Sequence, residues 1–369
     1  MIAGVPVTDD KLTPMLPSLD DLAPARRPLD QAAGLPPSMY HEPAVFELER
    51  ELVFARSWVA VARHDQLATT GSFVTAEIAD EPVVVVRDST GALHAYPNVC
   101  RHRGITIVEG AGTARALQCP YHLWTWSLDG RLVGAPQMDR TAGFDPAAEC
   151  LTELAVAEWQ GFVLVNLDPT APAFDATVPG LTQRCEPHDV ATLVRGPSAH
   201  YDSAFNWKIQ VENFIESYHH AGVHPETLQT TYPGQHSFVE HEGDEPWSWL
   251  DHVSVVDGFD PFAVPIVYPT LGFVIVRGLG GYWFDMRPID ATHTSLDIVT
   301  LVPPDAPAEI GELLLESAVH VNDEDVAINE RTQRGLGSRF AVAGRVSHLE
   351  QACWSFRRWL IDRLEPGLA

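Results

Sequence analysis

The sequence predicts an α+β protein built as a small antiparallel β domain followed by a larger antiparallel sheet covered by helices. Three observations carry this expectation. Between about 57 and 167, short β-type runs at 73–76, 83–86, 94–96 and 162–165 alternate with Gly and Asp turns. Beyond the Pro-containing connection Asp168-Pro169-Thr170-Ala171-Pro172, strand-like runs at 252–256, 273–276 and 295–301 stand among helical periodicities at about 205–221, 307–333 and 347–364. The chain has 369 residues, 45% of them hydrophobic, which is enough apolar material for two packed units.

Taken in order, residues 1 to about 40 are rich in Pro and Asp, and Pro36-Pro37 interrupts any periodicity, so this stretch reads as an extended arm that packs on the surface or frays. Over 43–55, Val45, Leu48, Leu52 and Ala55 recur at helical spacing, which predicts one amphipathic helix ahead of a first strand near Trp58-Val59-Ala60-Val61. The expected division is therefore an arm and helix over 1–56 that packs on the second domain, a β domain over 57–167, and the larger domain over 168–369. Within the β domain, the segment 124–133 reads as a hairpin about the turn Asp129-Gly130. No internal repeat or low-complexity tract interrupts this order.

Composition excludes several classes. With 24 basic against 50 acidic residues the formal charge is −26, which argues against nucleic acid and anionic membranes as partners but suits a basic electron-transfer partner. No run of about 18 apolar residues is present, and Met1-Ile2-Ala3-Gly4 leads to Asp9-Asp10 rather than to a basic segment and an apolar core, so no membrane association and a cytoplasmic location are expected. Five cysteines, an odd number, do not form a disulfide framework in such a chain. Cys150, Cys185 and Cys353 are expected to be free thiols.

Chemistry concentrates first in Cys100-Arg101-His102-Arg103-Gly104 and Cys119-Pro120-Tyr121-His122-Leu123-Trp124. Each loop offers one thiol and one imidazole. A single tetrahedral zinc is one reading, although Cys-x-His is a cramped chelate for one ion. The other is a binuclear [2Fe–2S] centre in which two thiolates hold one iron and two imidazoles the other. On these two loops the chain resembles the Rieske oxygenases, the catalytic subunits of ring-hydroxylating dioxygenases and of related monooxygenases and demethylases. The resemblance implies a Rieske [2Fe–2S] cluster on Cys100, His102, Cys119 and His122, with Arg103, Gly104, Tyr121 and Trp124 shaping the loops.

A second constellation lies in 206–225, where Glu216, His219, His220 and His224 accompany an apolar helical pattern. On a continuous helix Glu216 and His219 share a face, and Gly222 and Pro225 mark a helix end that lets His224 turn toward the same point. By spacing alone either His219 or His220 fits. The family register, Glu-x-x-His-x4-His, selects His219 and His224, and it places a third ligand eight residues before Gln333 of Gln333-Arg334-Gly335-Leu336, at Asp325. Glu324 is the second choice. The resemblance thus implies a mononuclear Fe(II) on His219, His224 and Asp325, a facial triad that leaves positions open for O₂. It also implies that Glu216 bridges the iron to the cluster of a neighbouring subunit. Glu in that position is similar to the carnitine- and betaine-oxidising branch. Asn213 and Tyr218 are further candidates for shaping the O₂ site, and His94, His188, His252 and His320 read as ordinary satisfied imidazoles.

The implied activity is hydroxylation or oxidative demethylation of a small organic substrate with O₂ and NAD(P)H-derived electrons. The electrons would come from a separate reductase, with or without a ferredoxin, since the chain shows no Gly-x-Gly-x-x-Gly loop. A homotrimer is implied by the ring arrangement of the family. The substrate wall is expected between about 230 and 300, where Trp247, Trp249, Tyr268, Phe273, Tyr282, Trp283 and Phe284 offer either an aromatic box for a quaternary amine or an apolar slot for an arene. An aromatic ring-hydroxylating dioxygenase is therefore the alternative within the family. A Rieske electron carrier without oxygenase chemistry is the alternative outside it.

Overall fold

The structure is a computed structural model that describes residues 16–239 and 245–368. It is α+β, and every sheet pairing is antiparallel.

The arm is more deeply involved than its composition suggests. From residue 16 on it packs inward through Leu22, Leu35, Met39 and Tyr40, each no more than 4% exposed, and the Tyr40 hydroxyl donates to Glu212 at 2.9 Å. Short 3₁₀ turns satisfy its backbone, so a Pro-rich segment without periodicity still contributes core residues. Helix α1 (Pro43–Leu52) follows, with Pro43 at its first position, where a missing N–H costs nothing. It buries Val45, Phe46 and Glu49, and it ends three residues before the expected Ala55.

The β domain holds β1 (Val59–Arg63), β2 (Ser72–Ile78), β3 (Glu81–Arg87), β4 (Leu93–Pro97), β5 (Ala111–Thr113), β6 (Leu117–Gln118), β7 (Thr125–Trp126), β8 (Leu132–Gly134), β9 (Ala155–Trp159) and β10 (Phe162–Asn166). They form a sheet in the order β4-β3-β2-β5, a small sheet β6-β7-β8, and a third, β1-β10-β9. The continuous run Val83–Val86 is fully buried, as a strand covered on both faces should be. At the Asp129-Gly130 turn, Gly130 adopts φ +83° and a Cβ there would lie 2.9 Å from the Tyr96 ring, so both conformation and space require glycine.

The larger domain is one seven-stranded sheet, in the order β11 (Val194–Ser203), β17 (His293–Val302), β16 (Gly280–Asp290), β15 (Leu271–Val276), β14 (Phe262–Val267), β13 (Trp247–His252), β12 (Phe238–Val239). The strand expected at 252–256 is displaced: pairing ends at His252, and Val253, Val255 and Val256 are exposed. One face of the sheet packs Phe273 and Trp283 against Phe162 of β10. The other face receives α2 (Trp207–Phe214), the short α3 (His220–Val223), α4 (Ala308–Leu336) and α5 (Gln351–Leu368). Arg63, fully buried at the end of β1, donates to the carbonyls of Gln160, Val190 and Leu193 and so ties the β1-β10-β9 sheet to the start of the larger domain. A fully buried ion pair, Lys208 Nζ to Glu49 at 2.6 Å, joins α1 to α2, and the Trp207 indole N–H donates to the other Glu49 oxygen at 2.8 Å.

Candidate metal centres and active site

The first ligand loop turns tightly because Gly104 at φ +75° lets its N–H reach back to the Cys100 carbonyl at 2.8 Å. The second repeats the arrangement: Leu123 at φ +59° donates to the Cys119 carbonyl at 3.1 Å, and the Cys119 N–H is held by Trp124. Cys100 and Cys119 are buried, whereas His102 is exposed and His122 half-buried. The thiols face inward and the imidazoles outward. Burial together with the neighbouring Cys119 sulfur pushes the Cys100 thiol up, as expected of two sulfurs crowded into one site. The His102 and His122 rings lie 4.6 Å apart, edge to face, with the Trp124 indole stacked on His102 at 4.9 Å.

Two observations test which metal these residues fit. His122 Nδ1 is buried without a hydrogen-bond partner, an orphan that metal ligation resolves. Among the described residues, the group of three or more donor atoms that converges within 4.8 Å is His219, His224 and Asp325 and includes none of the loop ligands. A tetrahedral zinc would pull its four ligands inside that distance, while a binuclear cluster holds the sulfur pair apart from the nitrogen pair. The residues fit a [2Fe–2S] cluster.

The helix expected over 205–221 is broken, and the break builds the second site. Asn206 caps α2 through the Lys208 N–H at 2.9 Å, and α2 ends at Phe214. Ile215 to Tyr218 then leave the helix, and α3 begins after His219 and ends before His224. Glu216 and His219 do meet, but through hydrogen bonds across the non-helical break rather than by a shared helix face. One Glu216 oxygen accepts the His219 main-chain N–H at 3.1 Å and the other accepts the ring Nδ1–H at 2.6 Å. Asp325 enters from the middle of α4, its Oδ1 at 3.0 Å from His224 Nε2 and 3.5 Å from His219 Nε2. Asn213 donates to the same Asp325 oxygen at 3.0 Å. One carboxylate oxygen facing two imidazole nitrogens around a small gap is a donor set that fits a single ferrous ion.

Glu324 is not in that set. It accepts the Nδ1–H of His224 at 2.7 Å and the Thr227 hydroxyl at 2.7 Å. The His224 ring, fully buried, has its pKa lowered by burial but raised more by Asp325 and Glu324, with a net upward shift. His220 turns away to donate from Nδ1 to the Tyr232 carbonyl and stacks on His252, which burial holds well below the usual histidine range. Tyr218 is 60% exposed and points to solvent, away from the cavity. His94 is satisfied by Asp88 and Glu153. Cys150, Cys185 and Cys353 are free thiols, the first exposed and the others buried.

A cavity of about 460 Å³ opens over His219, His224 and Asp325. Of the aromatic residues expected to wall it, Tyr282 and Phe284 do so. Trp283 lies between them in β16 and faces the opposite side, because strand residues alternate. Phe273, Trp247 and Trp249 likewise belong to the core against β10, and Tyr268 bonds Ser248 beneath α5. The remaining rings of the wall come from Phe214, Tyr232, Phe259 and Phe262, and Asp260 lines the cavity beside them. Tyr232 and Phe259 lie on loops without periodicity, so the sequence offers no signal for them beyond composition, whereas Phe214 ends α2 and Phe262 opens β14.

Comparison with known proteins agrees with this geometry. The model of the Rieske [2Fe-2S] domain matches residues 57–152, and that of the ring hydroxylating alpha subunit catalytic domain matches 190–263 and 261–366. The carnitine monooxygenase oxygenase subunit of Escherichia coli (strain K12) is 31% identical over 349 residues, 86% of this chain and 88% of that protein. The glycine betaine monooxygenase oxygenase subunit of Chromohalobacter salexigens is 35% identical over 218 residues, 59% of this chain and 49% of its own. Among solved structures, a quaternary ammonium Rieske monooxygenase, described for carnitine oxidation and inter-subunit electron transfer, superposes with a TM-score of 0.84 at 27% identity, covering 95% of this chain and 98% of the other. Two metal-ligand constellations, an antiparallel fold around each, and a carnitine monooxygenase subunit matched over 88% of its length lead to one conclusion: the chain belongs to the Rieske non-heme iron oxygenases as a catalytic alpha subunit, with a Rieske cluster and a mononuclear iron as its cofactors.

Proposed function

We propose that the chain hydroxylates or oxidatively demethylates a quaternary amine, with the balance R–H + O₂ + 2e⁻ + 2H⁺ → R–OH + H₂O. The observation that carries the reading is the convergence of His219, His224 and Asp325 within 4.8 Å at the floor of a cavity walled by aromatic rings. Iron bound there supplies O₂ activation, with electrons from the cluster on Cys100, His102, Cys119 and His122. Glu216 fixes the His219 imidazole through Nδ1 and so orients the ring edge. Asn213 holds the Asp325 carboxylate in place. Both are positioning roles.

The assembly we propose is a homotrimer in which the cluster of one subunit docks beside Glu216 of the next. The cluster tip presents Tyr121 and Leu123, each 51% exposed, with exposed Arg101 and Arg103. The surface about Glu216 presents exposed Tyr218 and, close by, Glu350, whose carboxyl burial and the nearby acids push up. Basic and aromatic groups on one face and acidic and aromatic groups on the other favour such docking. A separate NAD(P)H-dependent reductase would feed the cluster, with or without a ferredoxin, and division at about 57 and 168 separates the two redox domains. Among the described residues no helix is long and apolar enough to cross a membrane, and a cytoplasmic location fits the acidic chain.

Anaerobic iron and acid-labile sulfide analysis, with EPR before and after dithionite, tests the core of this proposal. The expected result is three irons and two sulfides per chain, a Rieske signal on reduction, and loss of one iron alone in His219→Ala/His224→Ala. Two irons in both proteins would replace the oxygenase by an electron carrier.

A further inference from the structure

The charges around the cavity restrict its substrate more narrowly than the aromatic wall does. Tyr232 and Phe262 meet edge to face, with centroids 4.8 Å apart and planes at 80°, and Tyr282 and Asp260 stand close enough to Tyr232 to share its electrostatics. The Tyr232 hydroxyl donates to the Asp260 carbonyl at 2.8 Å, which fixes the loop that brings Asp260 to the cavity. Rings meeting at a corner with a carboxylate beside them match a trimethylammonium group, whose diffuse charge is attracted to the ring faces and needs no hydrogen bond.

The other end of a betaine finds no cation, only neutral donors such as the Ser317 hydroxyl and the Asn322 amide. Among the described residues that line the cavity, the charged side chains other than histidine are Asp260, Glu216 and Asp325, and neither Lys nor Arg takes part. The whole chain has two lysines, of which Lys208 is committed to Glu49 and Lys11 lies outside the described residues. Arg277, just beyond the lining residue Val276, is exposed and acts on His188 on the opposite side of the sheet. His252 in the wall is held neutral by burial. The two positive charges that a ferrous ion brings are answered by Asp325 and Glu216. A substrate carboxylate would thus lose its water beside fixed negative charge, without a cation to replace the lost hydration.

We infer that the substrate is a quaternary ammonium compound whose other substituents are uncharged, a choline-like or alkyl-trimethylammonium cation rather than a betaine. The inference rests on the quaternary amine reading above and narrows it. It separates this chain from the carnitine and glycine betaine enzymes it is similar to, since both of those compounds carry a carboxylate.

Matched pairs test it. Binding to the oxidised holoenzyme is measured by calorimetry for butyltrimethylammonium against γ-butyrobetaine and for choline against glycine betaine, with 3,3-dimethylbutanol as the uncharged isostere of choline. The expected result is that each cation binds at least tenfold tighter than its carboxylate partner and than the isostere, and that Asp260→Asn weakens the cations severalfold while moving the carboxylates the other way. Carboxylates binding as tightly as their matched cations would overturn the inference and leave the quaternary amine reading standing. Naphthalene binding with no ammonium compound of either kind would overturn that reading and the inference with it. An isostere as tight as choline would remove the cation from the argument, and both would fall.

Discussion

Glu324 and His224 form a 2.7 Å contact in which the carboxylate holds the imidazole at Nδ1 while the adjacent Asp325 meets the same ring at Nε2. Two successive residues of one helix thus grip both edges of one histidine. Thr227 closes the arrangement by donating to Glu324.

Glu324→Ala is therefore expected to weaken iron binding about 10- to 100-fold, the range found when a carboxylate behind a metal-bound histidine is removed. Chelator competition reads the affinity, and the reduced Rieske signal should stay unchanged. Glu324→Gln, which keeps an acceptor, should recover part of the loss. Wild-type iron affinity in Glu324→Ala would mean that burial alone orients the ring.

Glu216→Gln should leave both metals bound and slow the passage of electrons between them. Cluster reduction followed by stopped-flow spectroscopy and product formed in a single turnover separate the two steps. Undiminished steady-state turnover would show that the contact to His219 at 2.6 Å is structural only.

Lys208→Met leaves the Glu49 carboxylate fully buried without its cation, and a broken buried pair costs about 3–5 kcal/mol. The double replacement Glu49→Leu/Lys208→Met should regain most of that stability in urea unfolding, although the Trp207 indole N–H then loses its acceptor. A single variant as stable as the double would show that water reaches the pair.

Stability should fall as pH rises through the titration of Asp285. Burial pushes its carboxyl up to about 6, against the partial relief given by Arg287. A carboxyl that keeps its proton longer when folded favours the folded state most at low pH, and that contribution is lost between about pH 4 and 6. Asp285→Asn should therefore be more stable than wild type at pH 7, by up to about 3 kcal/mol, and should equal it near pH 4. Parallel curves for the two proteins would contradict this.

What the sequence made legible follows the range of the interaction. Cys100, His102, Cys119 and His122 sit in two tight loops, so local spacing was enough to find them. Asp325 lies a hundred residues from His224, and only the family register placed it. Burial in the arm has no sequence signal because Leu22, Leu35, Met39 and Tyr40 follow no period: Leu22 ends a single α-helical turn, Leu35 lies in irregular chain, and Met39 and Tyr40 sit in a 3₁₀ turn. The break after Phe214 was missed because nothing in Ile215-Glu216-Ser217-Tyr218 forbids a helix; the competing partner is the Glu216 side chain, which takes the His219 N–H instead. The aromatic wall was only partly legible. Alternation along β16 sends Tyr282 and Phe284 to the cavity and Trp283 to the core, and reading that face requires knowing which side α4 covers.

The placement of His219 and His224 at the two ends of α3 makes the iron a staple on the chain. A single turn of four residues is too short to persist alone in water, and its few backbone bonds, such as His224 N–H to the His220 carbonyl at 2.9 Å, hold it only weakly. Ligation at both ends closes that turn into a small ring. Amide hydrogen exchange across 220–224 thus becomes a direct report of iron occupancy: slow when the ring is closed, faster when the metal is removed, with the core strands β15 and β16 unchanged in either state.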